Sequence, residues 1–170
     1  LMFAKGDRHD RADWPLLQNG AVNLFHSPEI LADACADLAA LGYALAEISC
    51  RDGSPGFERQ FADLLRWQDQ FGYLPWSGNL DALNDAMAGY PFGSSGKSAL
   101  VLDGFHLIAD ADRDRAHALL DIFESASRDH LLFGHILVVL VQTDDATYAC
   151  PGIGGRSANW NAREAARRRR

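Results

Sequence analysis

Long apolar runs are missing from this 170-residue sequence, and none approaches the roughly 18 residues of a membrane-spanning helix. No role in or on a membrane is therefore expected. The opening, Leu1 to Asp10, lacks the apolar segment of a secretory signal, so the expected compartment is the cytoplasm. Cysteine is scarce and odd in number. Cys35, Cys50 and Cys150 lie far apart with no Cys-x-x-Cys spacing, which argues against a disulfide framework or a zinc site. Cys35 and Cys50 sit in apolar stretches and read as small core residues. The six histidines (9, 26, 106, 117, 130, 135) contain no pair at metal-ligand spacing. No Ser-His-Asp or Cys-His constellation assembles from sequence, so catalysis is the weaker class and no cofactor is expected.

Positive charge is also scarce over most of the chain. Residues 1–155 carry ten Lys and Arg against 22 Asp and Glu, a net of −12. Residues 156–170 carry six Arg against Glu164, a net of +5, giving −7 overall. So acidic a body cannot bind nucleic acid through its bulk field, which needs a basic footprint. It steers instead toward a basic partner.

With 48% hydrophobic residues, the length suits one domain with a core. Residues 1–18 are polar and read as a loosely held lead-in, 19–149 as the domain, and 150–170 as a basic tail with little to bury, expected to be disordered. That tail ends in Arg167 to Arg170; folding back onto the acidic domain is its other reading. Ala21 to His26 suits a strand. Ser27 as cap and Pro28 in the first turn open a helix that Gly42 closes. Tyr43 to Cys50 reads as a strand, Arg51 to Gly56 as a turn-rich loop, and Phe57 to Gln70 as one helix. Ser98 to Leu102 is a further strand and Ala116 to about His130 a further helix. Ile136 to Val141, wholly apolar and partly β-branched, reads as a central strand covered on both faces. Strands alternating with helices predict an α/β domain on a mainly parallel sheet of about four strands.

Three motifs mimic binding loops. Gly93 to Ser98 resembles a phosphate loop, but position 91 is Pro and the stretch leads into a strand. Asp110, Asp112 and Asp114 alternate like a calcium loop, with Arg115 at the position of the turn glycine. Gly152 to Gly155 has no βαβ unit around it.

The most informative stretch is Trp76 to Tyr90. Asn79 is a natural N-cap. Leu80, Leu83 and Met87 recur at helical spacing, and Gly89 closes the segment. Asp81 and Asp85, four apart, project from one side with Cβ atoms about 5–6 Å apart. Two like charges there weaken a helix unless something cationic meets them.

Trp76, Gly78, Asn79-Leu80-Asp81-Ala82-Leu83, Asp85 and Gly89 resemble the barstar family, intracellular protein inhibitors of barnase-type ribonucleases. The order of elements over residues 43–143 is similar too, with residues 19–42 as an added N-terminal strand and helix. The resemblance implies that carboxylates on a rigid helix mimic RNA phosphates. Asp85 then enters the enzyme's anion pocket and Asp81 meets a neighbouring basic residue. Trp76, Ser77 and Gly78 fall in the approach that covers the guanine-binding side, leading into Asn79. Asn84 stands where the family has a tryptophan, so an aromatic contact is lost. Gly89 matches the closing glycine. A further family acid, on the following long helix, aligns with Ser125, with Glu124 adjacent, so that contact is expected to be lost or displaced. The implied partner is a basic ribonuclease or other basic protein, met by a chain that is monomeric when free. The alternatives are a barstar-fold module with a non-ribonuclease partner, or a small enzyme with an unrecognised site.

Overall fold

The computed structural model describes residues 3–170; Leu1 and Met2 of the lead-in lie outside the described residues. Two short helices come first, α1 (Asp7–Asp10) and α2 (Trp14–Leu17). They are not loosely held. Leu16 is buried, and Asp13, fully buried, pairs with Arg11 at 2.6 Å and accepts from the Tyr43 hydroxyl at 2.7 Å. Composition missed this because one buried acid and one buried leucine suffice to tie the segment down.

Strand β1 (Val22–Phe25) leads into α3 (Pro28–Ala40), where the Ser27 hydroxyl accepts from Ile30 N–H and Pro28 occupies the first turn. β2 (Ala44–Ser49) follows. The expected single helix over 57–70 is two: α4 (Gly53–Leu64) and α5 (Trp67–Phe71). Between them Arg66 adopts the left-handed conformation (φ 52°), and the bend lets the Trp67 indole stack on Trp76 at 5.3 Å, both rings buried. Gly53 to Gly56, expected as loop, forms the first turn of α4, where Pro55 sacrifices no helical hydrogen bond.

Helix α6 (Leu80–Met87), β3 (Lys97–Asp103), α7 (His106–Ala111), α8 (Arg113–Leu132) and β4 (Ile136–Gln142) complete the central run. Asp112 is the N-cap of α8, accepting from Arg115 N–H at 3.0 Å, and Asp110 belongs to α7. Lys97 Nζ donates to the Leu41 carbonyl, so the lysine of the phosphate-loop lookalike ties β3 to the end of α3.

The expected disorder over 150–170 is a correction. The segment forms β5 (Pro151–Ile153), β6 (Arg156–Ser157), β7 (Asn159–Trp160) and α9 (Ala162–Arg168). Ile153 is fully buried, and the Glu164 carboxylate accepts from the backbone N–H groups of His26 (2.9 Å) and Ser27 (2.8 Å). Arg163 pairs with Asp37 at 2.8 Å and Arg167 donates to Ser27 Oγ at 2.6 Å. Net charge concealed this: the arginines fold back onto the acidic body.

The main sheet has the order β2-β3-β4-β1-β7, every pairing parallel, with β7 set against β1 through Asn23–Asn159 and Leu24–Trp160. Four strands were expected; the fifth comes from the tail. All of β4 is buried, as its unbroken apolar run requires. One face carries Phe57, Phe61, Leu83, Met87, Leu119 and Phe123; the other carries Leu16, Leu31, Leu38 and Tyr43. The result is an α/β domain with helices on both faces of a parallel sheet.

Candidate functional site

Helix α6 has the strongest amphipathic division of labour near the acidic stretch. Asn79 Oδ1 accepts from Ala82 N–H at 2.9 Å and so caps the helix. Leu83, Ala86 and Met87 are buried, whereas Asp81, Asn84 and Asp85 are exposed on the opposite side. At the far end His130 Nε2 lies 2.8 Å from the Met87 carbonyl; a carbonyl only accepts, so Nε2 carries the proton. Gln70 Nε2 donates to the Ala86 carbonyl at 3.3 Å, and its side chain lies where a Cβ on Gly89 would fall, 2.6 Å from the nearest atom. The last turn of α6 is therefore gripped from two neighbouring helices, and the acids project from a rigid support.

The loop before α6 is equally fixed. Trp76 is 2% exposed, stacked on Trp67, and donates from Nε1 to the Asn79 carbonyl at 2.9 Å. It is a wedge under the loop, which corrects its expected place on a contact surface. Gly78 is buried with φ +82°, and Arg115 Nη1 donates to its carbonyl at 2.9 Å. A Cβ there would lie 2.5 Å from Glu58 Oε1 and 2.9 Å from Arg115 Nη2, so both side chains would have to move, and the left-handed backbone itself favours glycine. Ser77 and Asn79 remain exposed. The large side chains this loop presents to solvent are Tyr73 (48% exposed) and Leu74 (55%), two residues sequence reasoning missed.

On the long helix the expected acid is misplaced. Glu124 is 5% exposed and accepts from Ala21 N–H (2.8 Å) and Val22 N–H (3.1 Å), anchoring the start of β1. It cannot reach a partner, and Ser125 beside it is half-buried. One turn on, exposed Asp129 lines a groove of about 420 Å³ with Asn84 and Asp85 across from it. The groove floor is Met87, Ala126 and His130, and Leu132 and Phe133 form its end. The missed signal was Gly134, which closes α8 and fixes which residues make its last turns.

The structure thus brings Asp85, Asn84 and Asp129 together and keeps Asp81 exposed one turn away on α6. It removes Trp76, Gly78 and Glu124 from the surface. The sequence model of the family described as Barstar (barnase inhibitor) matches residues 44–142. That span runs from the first residue of β2 to the last of β4 and covers more than half of the chain.

The chain belongs to the barstar family.

No curated protein and no solved structure gives a significant match. The family segment of this barstar-family chain contains α6, its approach loop and the groove, whereas β1, α3 and residues 150–170 are additions outside it. One chemically suggestive pair lies across that boundary: Cys150 Sγ is 3.5 Å from His117 Nδ1. Cys150 is 3% exposed and burial pushes its thiol pKa up, the reverse of what a nucleophilic cysteine needs. The pair packs; it is not built for attack.

Proposed function

We propose that this barstar-family chain is a cytoplasmic immunity protein that binds a basic, barnase-like ribonuclease and blocks it by phosphate mimicry. Asp85 and Asp81 occupy the arginine, lysine and histidine donors that would grip RNA, and Asp129 adds a third acid across the groove. The observation that carries the reading is the exposure of Asp81 and Asp85 on a capped, buried-faced helix inside the family segment. Carboxylate–guanidinium contacts are charge-assisted and often bidentate, so they fix geometry as well as lending affinity. The chain's net charge of −7, with the arginines docked at the far sheet edge and the acids of α6 exposed, speeds encounter with a basic enzyme. Such steering is worked out for the barnase–barstar pair itself, and its logic is carried over from there. No catalytic role is assigned to any residue.

A second reading, a barstar-fold module with a non-ribonuclease partner, is favoured by one set of observations. Asn84 replaces an aromatic, Ser125 stands where the family has an acid with Glu124 buried beside it, and Trp76 is buried, so aromatic and acidic contacts of the family are missing here. The deciding experiment is an RNA-cleavage assay with a barnase-type ribonuclease, titrated with the wild-type chain and with D81A/D85A. Stoichiometric inhibition by wild type, lost in the double variant, supports the first reading. An enzyme left fully active by the wild-type chain refutes it and leaves the second.

A further inference from the structure

Large apolar side chains at the end of a surface helix normally turn inward, yet Leu132 is 82% and Phe133 79% exposed. Their exposure is built in. Helix α8 ends in a left-handed Gly134 (φ +80°), with Gly134 N–H donating to the Leu131 carbonyl (3.0 Å) and His135 N–H to the His130 carbonyl (3.0 Å). This paired closure satisfies the last carbonyls and fixes the backbone of the terminal turn, which sets Leu132 and Phe133 on its outer side. Behind them Phe92 packs between the His130 and His135 rings, 4.7 Å from each, which stiffens the same corner.

The pair also adjoins charge. Leu132 and Phe133 line the groove that Asp85 and Asp129 share. A contiguous exposed apolar patch rimmed by polar groups marks an interaction surface. The geometry points to Leu132 and Phe133 as the apolar anchor of the interface, taken up by a basic protein that presents an apolar pocket flanked by Arg or Lys. This inference rests on the inhibitor reading and deepens it by naming what holds the complex once charge has brought it together. A second copy of the chain is a poor occupant, because a two-fold contact at this groove would bring Asp85 and Asp129 against the same acids. An anionic lipid surface is repelled by the folded chain's net −7 and by the acids that rim the groove.

Acids and anchor have separable kinetics. Long-range charge acts mainly on association and its salt dependence, whereas desolvated apolar contacts act mainly on dissociation. The test is surface plasmon resonance with a barnase-type ribonuclease immobilised, at several salt concentrations, for wild type, L132S/F133S and D81A/D85A. The expected result is that L132S/F133S dissociates about thirtyfold faster or more, in line with loss of a hot spot. Its association rate and salt slope stay unchanged. D81A/D85A loses direct charge contacts and so also dissociates faster, but it alone associates more slowly with a shallower salt slope. Both substituted pairs are exposed, so unchanged thermal melting checks that folding is intact. Wild-type binding that L132S/F133S leaves within twofold overturns the anchor and spares the inhibitor reading. No wild-type binding overturns both. A dimer in sedimentation velocity that L132S/F133S dissociates gives the patch to a second copy and also overturns the proposal.

Discussion

Replacing Glu164 by alanine removes a carboxylate that is 3% exposed and accepts from two backbone N–H groups, His26 at 2.9 Å and Ser27 at 2.8 Å. The Ser27 amide is buried and loses its partner outright, while exposed His26 lets water reach the other. An unsatisfied buried donor costs about 1–3 kcal/mol, so the pair implies a loss of about 2–4 kcal/mol. Both amides donate to the same oxygen, Oε1, so E164Q can keep both bonds on its one carbonyl oxygen and should lose clearly less than E164A, chiefly the charge assistance. The assay is urea denaturation followed by tryptophan fluorescence and far-UV circular dichroism, reading the midpoint at constant slope. Both probes should move together, because β7 and α9 belong to the same sheet edge and helix layer as β1 and α3. An E164A midpoint within about 0.5 kcal/mol of wild type, the range of an ordinary surface change, would refute the docking of the tail.

D81A/D85A should leave stability within about 1 kcal/mol, since only a helix-dipole contribution is lost while a like-charge pair is relieved. Its inhibition of a barnase-type ribonuclease should fall at least about a hundredfold, read as the inhibition constant. Gly78→Ala should destabilise by at least about 1–2 kcal/mol through its left-handed backbone, before Glu58 and Arg115 are displaced. Thermal melting checks this, and inhibition should weaken with it because the loop leads into Asn79. Burial pushes the Cys50 thiol from an ordinary 9.0 up to about 12. A folded pKa above the unfolded one means stability intact below pH 9.0 and lost progressively as pH rises toward 12. The loss from Cys50 is about 4 kcal/mol, and Tyr43, raised by burial, adds to it in the same direction. C50A should flatten the alkaline limb of a stability–pH curve; an unchanged slope would refute the assignment.

What sequence made legible was local. Ser27-Pro28 and Gly42 bracket α3, Asn79 marks the start of α6, and the unbroken apolar run of β4 announces a strand buried on both faces. Each signal acts within a few residues of its effect. The illegible parts depend on partners far along the chain. Glu124 is spent on Ala21 and Val22, 103 and 102 residues away, and Glu164 on Ser27, 137 residues away. An acid looks the same in sequence whether it faces solvent or a strand's amides. Trp76 carried the same ambiguity: an indole beside a glycine suits a contact surface or a wedge, and only the bend at Arg66, which brings Trp67 under it, decides. For the same reason Asp129 was passed over for Glu124, since the register of α8 against α6 sets which acid reaches the groove.

The place of β1 has a consequence for the order in which the molecule assembles during synthesis. β1 leaves the ribosome ahead of every segment that completes it: Glu124 at its start, β4 along one edge, β7 along the other, and Glu164 just beyond its end. Until β4 and β7 have been made it is an apolar strand with no paired strand, a state exposed to aggregation. The family segment carrying α6 and the groove closes its own pairings, β2 with β3 and β3 with β4, within a shorter length of chain. The pairings that support the acidic surface therefore need no residue beyond β4, whereas those of β1 also await β7.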